Sequence, residues 1–494
     1  MSRLVVVSNR VADPGKAAAG GLAVALGDAL SSTGGLWFGW SGNIAEPSDP
    51  TQPEALHIEQ AGNVTLATVD LSADDHAGYY LGYSNSVLWP VFHLRLDLAR
   101  FEAADIAAYR RVNRRFARQL MTLLQPDDVI WVHDYHLIPL ADELRSLGCR
   151  HRIGFFLHIP LPPQQVLAAI PQHDWLVRGL FAYDLVGFQS EADLQNFSRY
   201  AQAEAAAVDL GAHRFRAFNR TVKAAAFPIG IDVDEFVALT DAAPARAMFE
   251  RITSEYSRRQ LLLGVERLDY SKGLPQRIRA FRSLLQRYPE NLKSATLIQI
   301  ASPSREDMGT YTDLLAELES LCGSVNGDFG ELDWMPVRYI HRNVDRAELP
   351  GLYRAASVAL VTPLRDGMNL VAKEFIAAQD PADPGVLVLS RFAGAAEQLL
   401  DALMVNPYDI EGTANTIQRA LRMPLNERKA RHHNLLKTIR AEDVHWWRKS
   451  FLAVLQSGNG VVTALAPVTA GPSQNAAPSH QSAAQMQAGR HDTM

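Results

Sequence analysis

Short apolar, often β-branched runs recur along this chain, and each ends in polar, glycine or proline residues before a stretch of helical spacing. That rhythm constrains the fold more than any other feature. Strands that read as continuous apolar runs are buried on both faces, as parallel strands are when helices cover them. Residues 3–8 (RLVVVS), 34–42 (GGLWFGWSG), 129–133 (VIWVH), 153–158 (IGFFLH), 185–189 (LVGFQ) and 224–227 (AAAF) make a first series. A second starts near Gln260: 261–265 (LLLGV), 297–300 (LIQI), 337–340 (VRYI), 358–361 (VALV), 386–389 (VLVL) and 403–405 (LMV). With 494 residues the chain exceeds one ordinary core. The pattern predicts two successive doubly wound α/β domains joined near 236–258. Polar strand ends share one edge of a parallel sheet, so Arg10, Asp134, His158 and Gly230 are expected along one crevice.

Composition narrows the function. The chain is 47% apolar and 21% charged with a net charge of −6, which fits a globular protein and speaks against a nucleic-acid or acidic-membrane surface. No apolar run reaches membrane-span length, and MSRLVVVSNR turns polar too soon for a signal peptide. Cys149 and Cys322 lack metal spacing and suit a reducing cytoplasm. His432, His433 and His445 fall in a polar helical stretch and are expected to be solvated. There is no Walker pattern, no GxGxxG after a strand, and no DxD pair in a strand-end loop; Asp127-Asp128 precedes a strand and reads as a helix-to-strand turn. From about Gly458 the chain turns Ala/Gln/Ser/Pro-rich, and 457–494 is expected to be a disordered tail.

The chemistry concentrates at residues 361–374 (VTPLRDGMNLVAKE), a strand end, a tight loop and a helix start. Free N–H groups and the positive end of the helix dipole face such a loop and favour an anionic ligand. Asp366 on the loop can accept hydrogen bonds from hydroxyls, and Glu374 lies about one turn inside the helix. The same layout also serves an N-capped helix in any α/β domain. Arg267 and Lys272, on a strand-end loop, suit a diphosphate, the one as a planar fork and the other as a point charge; as surface residues they would carry no ligand. Arg10 and Arg305 are further strand-end cations for a second phosphate. Asp134 and His158 are strand-end polar groups, open to a capping or structural role. Gly20-Gly21 lets backbone N–H groups approach a ligand, or is a tight turn. Tyr79, Tyr80, Trp89 and His93 form an aromatic cluster, read as loop, that can stack on a sugar or fill a core.

Taken together, VVVSNR, AGGLA, GGLWFGWSG, SNSVLWPVFH, WVHDYHL, IGFFLHIPLP, PIGID, VERLDYSKGLP, RDGMNLVAKE and VLVLSRFAGAA resemble the trehalose-6-phosphate synthase family over roughly residues 2–456. The resemblance implies a GT-B fold, two Rossmann-like domains facing a central cleft. The implied acceptor-side domain is 1–236, the nucleotide-sugar domain 237–441, and a helix near 442–456 crosses back to the first. It implies transfer of glucose from UDP-glucose to glucose 6-phosphate with retention, without metal or cofactor, by a cytoplasmic homotetramer. By resemblance, Arg10, Tyr80, Trp89, Asp134 and Arg305 hold the acceptor, and Trp89 and Ile159 select the anomer. Gly20 and Gly21 belong to the loop that closes on the donor. Arg267 and Lys272 take the diphosphate, Asp366 the glucose hydroxyls, and Val344 the uracil. Leu370, Val371, Ala372, Lys373 and Glu374 form the nucleotide segment, with Glu374 on the ribose. His158 lies near the transferred sugar. The Leu161-Pro162-Pro163 loop and the short segment before AGGLA depart from the family pattern. Rival readings are a sibling transferase with another phosphorylated acceptor, an epimerase, and a non-catalytic sugar-phosphate sensor. No DxDGT-type phosphatase motif follows residue 456.

Overall fold

The computed structural model describes residues 2–11, 26, 27, 30, 34–45, 56–305 and 309–457. Gly20, Gly21 and residues 458–494 of the segment expected to be a disordered tail lie outside them. Among the described residues ten strands form a first sheet: β1 (Leu4–Arg10), β2 (Gly35–Ile44), β3 (Leu56–Ala61), β4 (Val64–Leu71), β5 (Val129–His133), β6 (Arg152–Phe156), β7 (Leu185–Phe188), β8 (Val208–Asp209), β9 (Arg214–Ala217) and β10 (Arg220–Ala226). Their order is β3-β4-β2-β1-β5-β6-β7-β10-β9-β8. Pairing is parallel from β4 to β10 and antiparallel at both edges. A second sheet of six parallel strands holds β11 (Gln260–Arg267), β12 (Ala295–Ser302), β13 (Val337–Ile340), β14 (Val358–Val361), β15 (Val386–Ser390) and β16 (Leu403–Val405), ordered β13-β12-β11-β14-β15-β16.

The parallel core of each sheet reverses direction once, between β1 and β5 in the first and between β11 and β14 in the second. Outside the carboxyl ends at such a reversal, the flanking loops diverge and open a ligand crevice. Arg10 ends β1 and Asp134 follows β5. The loops carrying Lys272 and Asp366 follow β11 and β14. β5 and β14 are wholly buried and β1 and β11 are buried along their middles, which fixes these loops to a rigid frame.

The last described helix, Val444–Gln456, returns to the first sheet. Its buried Trp447 and Phe451 rings lie 4.8 and 4.7 Å from the ring of Trp131 on β5. Three expectations are corrected. The aromatic segment read as loop is helical: His76–Leu88 is a π-helix running into Trp89–Phe92. His432 is buried rather than solvated, with Nε2 3.0 Å from the Ile376 carbonyl oxygen. Gly230 does not line the crevice. A Cβ there would sit 2.5 Å from the Glu442 carbonyl oxygen, so it admits the returning chain.

Candidate active site

The second sheet builds the charged half. After β11 the chain turns through Asp269 and a short Tyr270–Lys272 helix. Asp269 is fully buried and its Oδ1 accepts from the Ser271 N–H at 2.9 Å, an Asx turn that aims Lys272 across the switch point. Lys272 Nζ donates to Asp366 Oδ2 at 2.6 Å, with both side chains largely buried. Asn369 Nδ2 donates to the same oxygen at 3.0 Å, while Asn369 Oδ1 caps the Leu370–Ala378 helix by accepting from the Ala372 N–H at 3.2 Å. Burial works to raise the Asp366 pKa, but Lys272 and Asn369 outweigh it and hold the carboxylate below its ordinary range.

Asp366 is locked from behind. Its N–H donates to the Phe392 carbonyl and its carbonyl accepts from the Gly394 N–H, each at 3.1 Å. Beneath the loop, buried Arg277 donates to Thr362 Oγ1 at 3.0 Å and Gln299 Oε1 at 2.9 Å, and pairs with Glu266. Leu370 and Val371 are half-buried at the first helical turn, and Ala372 is buried. Glu374 accepts from the Tyr353 hydroxyl at 3.1 Å, and burial raises its pKa. The Lys373 side chain turns away from the crevice. Its Nζ donates to the Ile229 carbonyl at 2.7 Å and Gln398 Oε1 at 2.8 Å, and burial lowers its pKa to about 7.

The first sheet builds the aromatic half. Arg10 leaves β1 with its guanidinium 5.9 Å from the Trp40 ring centre. Tyr80 is surrounded by Trp40 at 5.6 Å, His76 at 5.5 Å and His136 at 6.0 Å. Asp134 sits at φ 74° and ψ 167°, a backbone region that L side chains avoid. Strain of this kind costs about 1–3 kcal/mol and persists where the surroundings over-determine it. Here the Asp134 N–H donates to the Phe156 carbonyl at 2.8 Å, and Asp134 Oδ1 accepts from the His158 N–H at 3.2 Å. Burial pushes the Asp134 carboxyl up to about 6. His158 Nε2 meets His133 Nδ1 at 3.1 Å. Burial lowers His158 to about 3 and His133 well below its ordinary value, so both rings are neutral at pH 7. Ile159 is buried beside them.

The two halves meet at Trp89. Its ring, from the first half, lies 3.9 Å from the Arg305 guanidinium and 5.7 Å from that of Arg267, both from the second. Arg305 also donates to the Tyr311 hydroxyl at 2.7 Å, Asp269 Oδ2 at 3.3 Å and the Tyr135 hydroxyl at 3.2 Å. Arg305 and Arg267 pull Asp269 down to about 2 against the opposing effect of burial. Asp269, Tyr135, Tyr311 and His133 were missed by sequence reasoning. Asp269 carried one usable signal, its place in the LDYSK turn between Arg267 and Lys272. Val344 lies on the loop after β13, packed on the second core. Among the described residues no group of three His, Cys, Asp or Glu is placed to hold a metal ion.

A helix N-terminus and fixed cations at one sheet's switch point, facing an aromatic, hydroxyl-rich wall at another's, define a GT-B glycosyltransferase. The model of glycosyltransferase family 20 matches residues 7–457, and the chain belongs to that family. It is 50% identical over 456 residues to the trehalose-6-phosphate synthase of Sinorhizobium fredii, covering 92% of this chain and 98% of that one. Among solved structures, an α,α-trehalose-phosphate synthase (UDP-forming) from Burkholderia xenovorans in complex with glucose-6-phosphate superposes with a TM-score of 0.89. The identity is 50%, with 92% of this chain and 100% of that chain covered. A trehalose-6-phosphate enzyme from E. coli bound with UDP-2-fluoro glucose gives a TM-score of 0.87 at 46% identity, covering 92% and 99%. The family resemblance and the fold expected from the motifs are thereby borne out.

Proposed function

We propose that this protein transfers glucose from UDP-glucose to glucose 6-phosphate with retention, giving α,α-trehalose 6-phosphate and UDP, the first step of trehalose biosynthesis. The observation that carries the reading is the Lys272–Asp366 pair at the N-terminus of the Leu370–Ala378 helix, facing Trp89 beneath Arg305 and Arg267. Arg267 and Lys272 hold the donor diphosphate, and Asp366 the donor glucose hydroxyls. Residues 370–374 hold the nucleoside, with Glu374 on the ribose and Val344 at the uracil. Arg10, Tyr80, Trp89, Asp134 and Arg305 hold the acceptor, with Trp89 and Ile159 setting its anomer. Gly20 and Gly21 complete the donor side. Residues 1–236 form the acceptor domain, 237–441 the nucleotide-sugar domain, and 442–456 the crossing helix.

In the reaction the bond from glucose C1 to the β-phosphate oxygen breaks, and its electron pair stays on that oxygen. Arg267, Lys272 and the helix dipole stabilise the charge as it develops, the role of preorganised donors in a site shielded from water. The acceptor hydroxyl attacks C1 from the same face, and its proton passes to the departing phosphate oxygen. His158, neutral, hydrogen-bonds the transferred sugar without placing a cation beside the oxocarbenium-like carbon. A double displacement would need a free carboxylate nucleophile. Asp366 Oδ2 already takes bonds from Lys272 and Asn369, and Asp134 Oδ1 from the His158 N–H, so front-face transfer is favoured. NMR of the product should show two α anomeric protons. Intact mass after incubation with UDP-2-fluoroglucose should show no glycosyl-enzyme; an adduct on Asp134 or Asp366 would replace this mechanism.

The chain works without a metal, in the cytoplasm, in the stress response and as a tetramer. Two buried cysteines, neither in a disulfide, support the reducing compartment, and light scattering of the purified protein tests the assembly. Among the described residues no helix is long and apolar enough to cross a membrane.

A further inference from the structure

The donor and acceptor loops touch backbone to backbone. A Cβ on Gly367 would lie 2.1 Å from the His158 carbonyl oxygen and 3.1 Å from the Ile159 carbonyl carbon. Beside this contact Arg365, the residue before Asp366, donates from Nη2 to Asp193 Oδ1 at 3.4 Å. Asp193 belongs to the other half and is 2% exposed. The same Oδ1 accepts from the Leu161 N–H at 3.0 Å, and Oδ2 accepts from the Ser190 hydroxyl at 2.6 Å. One buried carboxylate therefore bonds both the loop that carries His158 and Ile159 and the loop that carries Asp366. Arg365 is tied to the Lys272 turn as well, because its N–H donates to the Ser271 carbonyl at 3.4 Å. The guanidinium has capacity left. Its Nε is buried without an acceptor, and its 3.4 Å contact exceeds the roughly 2.7–2.9 Å of a full charge-assisted bond. A small approach of the two loops would complete a fork on Asp193.

A second cross-cleft contact lies beside this one but uses neither the Asp193 nor the Arg365 side chain. Glu397 accepts from the Glu191 and Ala192 N–H groups at 2.8 and 3.2 Å, capping the Glu191–Ala203 helix from outside. It serves as a control for domain closure in general.

We propose that Asp193 and Arg365 are positioning residues that join the donor loop to the acceptor loop, so that filling one half-site raises the affinity of the other. The inference rests on the transfer reading above.

The test is calorimetric titration of UDP into the full chain, with and without saturating glucose 6-phosphate. In the unaltered protein glucose 6-phosphate should tighten UDP binding about tenfold, within the usual range of coupling between sites. Arg365→Gln and Asp193→Asn should each cut that ratio to about twofold or less, while UDP alone binds within about threefold of the parent. Arg365→Lys should recover part of the ratio. The double variant should fall no lower than either single, as expected of residues acting through each other. Glu397→Gln should keep the full ratio. Thermal unfolding checks each variant, and Arg365, with a side chain 20% exposed, carries the test if the Asp193 variant does not fold. A folded Arg365→Gln protein with an undiminished ratio overturns the inference. So does equal loss in Glu397→Gln, which would assign the coupling to domain closure alone. So does a parent protein that binds UDP with no response to glucose 6-phosphate. A parent that binds no UDP would instead overturn the transfer reading, and the inference with it.

Discussion

The two switch-point crevices answer to opposite electrostatics. On the second sheet the chain keeps its side chains charged. Lys272 pairs with Asp366, Arg305 pairs with Asp269, and both carboxylates lie below their ordinary pKa. On the first sheet burial works against charge, leaving the histidines neutral at pH 7 and Asp134 an ionised group held at a cost. His133, His136 and His158 are lowered by burial, and Asp134 is pushed up to about 6. A diphosphate leaving group needs fixed positive charge, whereas a sugar ring is held by aromatic faces and neutral hydrogen-bonding groups. Arg305 is the exception, a cation from the charged half laid over the aromatic half's Trp89. In the proposed function this cation takes the acceptor's phosphate.

The largest effect should come from breaking that exception. Arg305→Ala leaves Asp269 buried without its cation, a loss of about 3–5 kcal/mol for a broken buried pair. Chemical denaturation should report it, with KM for glucose 6-phosphate rising more than KM for UDP-glucose. Next is Lys272→Ala, which removes one diphosphate donor. Its kcat should fall by about 10²–10³, or about 2.7–4 kcal/mol, as for loss of one preorganised donor.

Asp134→Asn probes by pH the cost of burying this carboxylate on the aromatic half. The folded pKa of Asp134 is raised from 3.8 to about 6, so its linkage favours folding fully below pH 3.8 and the benefit is lost as pH rises to about 6. The neutral variant should therefore gain stability on the order of 3 kcal/mol at pH 7, and that gain should shrink to below about 1 kcal/mol near pH 4. Activity should drop in the same variant. If the gain were constant across this range, Asp134 would not be buried as described. The smallest effect should be His445→Ala. Its 2.9 Å pair with Asp232 is exposed on the histidine side, so thermal unfolding should shift by less than about 1 kcal/mol.

Legibility in the sequence followed burial. Residues 129–133, 337–340, 358–361 and 403–405 were placed to the residue as strands, 129–133 and 358–361 most plainly because each is a short apolar run bounded by polar residues. The β3–β4 hairpin escaped notice. β3 is mostly exposed, so no apolar alternation marks it, and Gly62-Asn63 was the one hairpin signal. His432 was misread because its acceptor, the Ile376 carbonyl, comes from a helix 56 residues away. The cleft network was hidden for the same reason. Arg365 and Asp193 are 172 positions apart, and Arg305 and Tyr135 are 170 apart, so no local pattern joins them. Arg267, Lys272 and Asp366 were legible because strand-end loops concentrate unusual polar residues. Lys373 was legible only as part of its segment, and the direction of its side chain required the fold.

The most direct measurement is nucleotide release from UDP-glucose in EDTA, with and without glucose 6-phosphate. The account predicts UDP release that requires glucose 6-phosphate and persists in EDTA. Release without the acceptor would mark a hydrolase or epimerase, and release abolished by EDTA would contradict a charged half that works through its own cations. Absence of release under every condition would contradict transfer itself and leave a sugar-phosphate sensor.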